Sequence, residues 1–108
     1  MKRHTCHVAL LGLLWTGAAN AQSAEWMMED CAVATQSYFQ DFAAKTEMQD
    51  QGQRTDGTYA INGTISLETH SDNVQCSYAP DGQTMVDFFA EGASRPDFAR
   101  GGKSPYMH

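Results

Sequence analysis

The chain has 108 residues, enough for one small domain. Hydrophobic residues make up 42% and charged residues 19%, with nine glycines and three prolines, a balance that excludes a collagen or coiled-coil chain. The formal net charge of -6 argues against nucleic acid or an anionic membrane as partner, because both are bound through a positive footprint.

Residues 1–21 read as a secretory signal peptide. Lys2 and Arg3 supply the positive start, Val8 to Trp15 a short apolar core, and Ala19-Asn20-Ala21 a small-x-small cleavage pattern. An apolar run of about eight residues is too short for a membrane span, which takes about 20, so no stable membrane insertion is expected. Cys6 precedes the apolar core, whereas a lipoprotein cysteine would follow it. The mature chain is expected to begin at Gln22, in the periplasm of a bacterium or secreted from it. It then carries five basic and thirteen acidic residues, net -8.

Two cysteines remain, Cys31 and Cys76, and in an oxidising compartment they are expected to pair. No CxxC spacing points to a metal site instead. The loop closed has about 46 residues, for which chain entropy gives roughly 4 kcal/mol of stabilisation.

A helix is expected from the Ser23 cap to about Lys45, fading before Gly52. Met27, Cys31, Ala34, Thr35, Tyr38 and Phe42 form its apolar stripe, and no glycine or proline interrupts it. Residues 49–57 are polar and read as a loop. From Tyr59 to Glu68, Tyr59, Ile61, Gly63, Ile65 and Leu67 alternate with polar or small residues, as in a half-buried strand. Asn62-Gly63 is also a hairpin signal that would split this run; the unbroken alternation favours one strand, with a gap at Gly63 expected under a bulky helix side chain. Ser71-Asp72-Asn73 reads as a turn, and Val74, Cys76 and Tyr78 as one face of a short strand. Pro80-Asp81-Gly82 is a strong turn. In the last strand, Thr84 to Phe89, Val86 and Phe88 are expected to face the core and Asp87 the solvent, with Phe89 partly exposed unless the register is opposite.

The simplest assembly is an α+β domain over residues 22–91. One N-terminal amphipathic helix packs on a three-stranded antiparallel meander, stapled by a helix-to-strand disulfide. The sheet's other face would carry Ala60, Asn62, Thr64, Ser66, Gln75, Ser77 and Asp87, either a solvated surface or a docking surface. Residues 92–108 form a tail without a hydrophobic period, expected to be irregular. Its Arg95, Arg100 and Lys103 outnumber Asp97, against a body of two basic and twelve acidic residues. Such a tail lies on its own acidic body, reaches a partner with help from Phe98 and Tyr106, or stays in solvent. Deletion of residues 93–108 is expected to leave the domain folded.

The residues show no catalytic constellation. Paired cysteines are not nucleophiles, and His70 beside Ser71 is not a triad. No phosphate loop, dinucleotide fingerprint, zincin or calcium-loop motif is present. Met27, Met28, Met48, Met85, Met107 and His108 are of types that suit Cu(I), but methionine more often fills core gaps. Asn62-Gly63-Thr64 matches a glycosylation sequon, read here as strand residues because the leader looks bacterial.

These features point to a non-catalytic exported domain that takes no cofactor. It would bind a protein or envelope component, and inhibition of a secreted hydrolase is one such role, because an acidic domain suits a basic target. The candidate binding residues are Asn62, Thr64 and Ser66 on the sheet face and Arg95, Phe98, Arg100, Lys103 and Tyr106 on the tail. The alternative is a small-ligand or metal carrier of the periplasm, with Trp26, Tyr59 and Tyr78 as its aromatics. Cys31, Tyr59-x-Ile61-x-Gly63, Cys76-Ser77-Tyr78 and Asp81-Gly82 together resemble small bacterial exported domains with a helix, a meander and a helix-to-strand disulfide. That resemblance names no family and assigns no functional residue.

Overall fold

The computed structural model describes residues 24–102. The expected leader and cleavage site, the expected Ser23 cap, Lys103, Tyr106, Met107 and His108 lie outside the described residues. Helix α1 covers 24–39. Five strands follow: β1 (Lys45–Gln53), β2 (Tyr59–Ser66), β3 (Ser71–Tyr78), β4 (Met85–Ala90) and β5 (Ala93–Ser94). They form one antiparallel sheet in the order β1-β2-β3-β4-β5, so each strand pairs with its neighbour in sequence.

The three-stranded meander is therefore corrected to five strands. One added strand comes from the end of the expected helix. Gln40 takes a left-handed conformation, φ 55°. Its N–H donates to Ser37 O (3.2 Å), and the Asp41 N–H donates to Gln36 O (3.0 Å). This is a Schellman stop with glutamine where glycine is usual. Gln40 Nε2 also donates to Ser37 O, and Gln36 Nε2 to Ala44 O across the reversal. The chain then returns as β1, an edge strand whose inward positions are Thr46, Met48 and Asp50, opposite Ile65, Gly63 and Ile61. With one large apolar residue in nine, it carries almost no strand signal.

The other added strand comes from the expected irregular tail. Glu91 (φ 54°) and Gly92 (φ 78°) form a two-residue turn with both φ positive, the geometry that suits a tight hairpin, and Ala90 pairs with Ala93. Residues 96–97 are helical and lead into a π-helical turn, Phe98–Gly102. The 59–66 run is one strand, and Gly63 lies opposite Val74 within it, not in a hairpin turn. The turn expected at 71–73 sits earlier, where the Leu67 N–H donates to His70 O (2.8 Å).

The core lies between α1 and the inner sheet face. Met27, Cys31 and Ala34 of the helix meet Ile61, Val74, Cys76, Tyr78, Met85 and Phe88. Cys31 and Cys76 are disulfide-bonded with Cα atoms 5.9 Å apart, and both are fully buried. Tyr78 donates its hydroxyl to Asp30 Oδ2 (2.7 Å) and Met27 O (3.1 Å). Val86, expected to point inward, is 38% exposed. A register shift between Ser77 and Tyr78 pairs Tyr78 with Met85 and Ser77 with Asp87, leaving Val86 as the extra residue.

Candidate functional site: the outer face of the sheet

The sheet's outer face is built in rows. Because side chains alternate between faces, residues paired across strands share a face. Gln49 of β1 pairs with Asn62 of β2, Asn62 with Gln75 of β3, Gln75 with Phe89 of β4, and Phe89 with Ser94 of β5. One continuous row thus runs across the sheet as three carboxamides and an aromatic ring. The next row holds Glu47, Thr64 and Asn73. Together they line an open concavity of about 530 Å³, floored by Gly63 and Val74. That volume falls within the range of small-molecule sites, about 300–1,000 Å³.

Hydrogen bonds hold the row. Gln75 Nε2 donates to Asn62 Oδ1 (2.7 Å), and Gln75 Oε1 accepts from Arg54 Nη2 (3.2 Å). Arg54 Nη1 also donates to Thr58 Oγ1 and Ser77 Oγ. Thr64 Oγ1 lies 3.4 Å from Asn73 Oδ1. A carboxamide has two N–H donors and two lone pairs, so the Gln75–Asn62 bond uses one donor and one lone pair and leaves capacity on both groups. Phe89 is 41% exposed at the end of the row. Glu47 is the only charged residue in the lining.

The candidate residues of the sequence separate. Asn62 and Thr64 line the concavity. Ser66 is exposed at the strand end, paired with Ser71 and outside it. The tail residues are not brought there. Phe98 packs into the core cluster, its ring centroid 4.9 Å from that of Phe88 and 5.3 Å from that of Tyr38. Arg95 donates from Nε to Ala90 O (3.1 Å), stands 5.3 Å over the Tyr38 ring and reaches Glu91 at 3.7 Å. Arg100 pairs with Asp97 of its own segment (2.6 Å). The tail's described part thus lies on the body.

Local sequence pattern does not reveal Glu47, Gln49 and Asn73, because it places them at a helix end, in a loop and in a turn. The only available signal was Met48 between polar neighbours, too short a pattern to show alternation. The carrier aromatics are structural. Tyr78 is fully buried, Trp26 packs edge-on against it with ring centroids 6.2 Å apart, and Tyr59 packs against the core. Met27 and Met85 are core residues, with Met28 and Met48 packed against them.

Titration is shifted elsewhere in the domain. Burial raises the Tyr78 pKa, helped by the Asp30 carboxylate. Burial and the hydrogen bond to Glu91 raise that of Tyr38. Asp81 is held below the usual carboxylate range, chiefly by the Gln83 N–H, and Asp56 chiefly by the Thr58 hydroxyl. Among the described residues no three His, Cys, Asp or Glu side chains come together to hold a metal ion, and no helix is long and apolar enough to cross a membrane. Set against family models, curated proteins and solved structures, the chain matches none.

Proposed function

We propose that this chain is a non-catalytic exported domain that binds an envelope component through the outer face of its sheet. The observation that carries the reading is the Gln49–Asn62–Gln75 row ending on exposed Phe89. A flat, solvated sheet face has no need of a concavity, of carboxamides in adjacent register on three strands, or of an exposed phenyl ring beside them. These are groups that orient a ligand by hydrogen bonds and exclude water from one side of it. The signal-like segment 1–21 and the buried disulfide support export. The helix face supplies the core, and Arg95 and Phe98 secure the tail to the body, which leaves the outer sheet face as the surface with recognition chemistry.

The test places a photo-crosslinking residue at Gln49 on the outer face or at Glu29, exposed on the helix, in the full chain within cell envelopes. Adducts from position 49 and none from position 29 are the expected result. Equal labelling from both positions, or none from position 49, overturns the reading.

A further inference from the structure

Resting on that reading, we infer that the outer-face concavity is a binding site for a neutral oligosaccharide. Four observations carry this. First, the lining supplies both donors and acceptors on planar carboxamides, Gln49, Asn62, Asn73 and Gln75. Adjacent sugar hydroxyls each donate and accept, so a carboxamide, with an N–H and a C=O side by side, meets a vicinal pair at both atoms. Second, Phe89 ends the row as an exposed ring beside Gln75. The C–H face of a pyranose is apolar and covers such a ring, while its equatorial hydroxyls point toward the neighbouring amides.

Third, the charge excludes the other polar ligands. The body is acidic, with a net charge of -6 for the whole sequence, and Glu47 alone is charged in the lining. A polyanion is repelled by the domain, and the guanidinium beside the row, that of Arg54, is engaged by Gln75, Ser77 and Thr58. A cationic peptide would require more than one carboxylate there. Fourth, the row is long enough. Four strands at the interstrand spacing place Gln49 and Phe89 about 14 Å apart, the span of a short oligosaccharide. A protein partner would instead need a cluster of exposed apolar anchors, and of the two apolar side chains in the lining Phe89 is exposed while Val74 is buried.

The centre of the row is also held in place before any ligand arrives. Arg54 fixes Gln75 from one side and Asn62 fixes it from the other, so their amide planes lose little freedom on binding.

The test is a nuclear magnetic resonance titration of the full chain with hexamers of β-1,4-glucose, α-1,4-glucose and β-1,4-N-acetylglucosamine. A heparin hexamer and a lysine-rich peptide serve as controls. The expected result is saturable shifts of the side-chain amides of Gln49, Asn62, Asn73 and Gln75 with at least one neutral hexamer and none with the controls. Phe89→Ala should weaken that binding about tenfold, and Phe89→Trp should retain it. Gln49→Ala, on an edge strand and away from the core, is a second variant expected to weaken it without touching the fold. No shift with any neutral hexamer, stronger shifts with either control, or binding unchanged by both Phe89→Ala and Gln49→Ala overturns the inference. If position 49 still crosslinks to envelope material while no neutral hexamer binds, the outer-face reading stands and the glycan assignment falls.

Discussion

Met48 on β1 occupies the space that a side chain on Gly63 of β2 would need. The two residues are cross-strand partners. A Cβ built on Gly63 would lie 2.5 Å from both Sδ and Cε of Met48 and 3.1 Å from Cγ2 of Val74. The gap expected at Gly63 is real, and a strand residue fills it where the helix was expected to. The edge strand is thus tied to the sheet by a side chain as well as by its ladder of hydrogen bonds.

Gly63→Ala should therefore lower stability by about 1 kcal/mol, and Gly63→Val by more, because overpacking costs about 1–3 kcal/mol. The flexible thioether absorbs part of the smaller insertion. In a Met48→Ala background the same Gly63→Ala change should be nearly neutral. A double-mutant cycle in urea reads the coupling, and strict additivity would show that Met48 does not fill the notch.

Tyr78→Phe should cost about 1–3 kcal/mol, since it withdraws a buried donor from Asp30 and from the Met27 carbonyl. It should also change the alkaline limb of stability. The Tyr78 hydroxyl holds its proton in the fold at pH values where the unfolded chain, near the ordinary value of 10, releases it. The unfolded state then binds fewer protons than the native one, so stability is fully present below pH 10 and falls above it. The limiting slope is about 1.4 kcal/mol per pH unit for one group. Tyr38 is shifted in the same direction, so the variant should keep a shallower limb, not a flat one. Urea midpoints between pH 8 and about 11 give the comparison, and identical limbs would contradict the assignment.

Removing residues 93–108 should destabilise the domain, contrary to the expectation from composition. It takes away Phe98, buried Ala99 and the Arg95 contacts, and it uncovers Phe88. Phe98→Ala alone should cost about 2 kcal/mol, below the usual range for a fully buried phenylalanine because Phe98 is partly buried. Arg100→Ala should leave the thermal midpoint unchanged, since its ion pair with Asp97 is exposed. Thermal unfolding of the three forms settles the order.

The parts legible in the sequence are those where the core writes a period into the chain. The alternation of Ile61, Gly63 and Ile65 announces β2, the spacing of Cys31, Ala34 and Tyr38 announces α1, and Cys76 on the facing strand completes the pair. Pro80-Asp81-Gly82 marks its turn, and Gly82 is left-handed there, φ 71°. The elements that were missed bury little. β1 turns Thr46 and Met48 toward the core while Asp50, at the next inward register position, is exposed, and β5 has two residues. Their turns use Gln40 and Glu91 at left-handed positions where composition points to glycine or asparagine.

The same division applies to the candidate site. The sequence by itself determined which residues of β2 and β3 face outward, because inward and outward positions alternate and the inward ones are apolar. It also pointed to the disulfide partners, since Cys31 and Cys76 are the two cysteines outside the signal-like segment 1–21. Only the tertiary structure decided that Gln49 and Phe89 stand in one row with Asn62 and Gln75. Register between strands is set by pairing and packing across the whole sheet, and residues 49 and 89, forty positions apart in the chain, come into one row through two intervening strands. Tertiary packing likewise decided the place of Phe98, which a local reading assigns to a solvated tail and which the aromatic cluster of Tyr38 and Phe88 draws into the core.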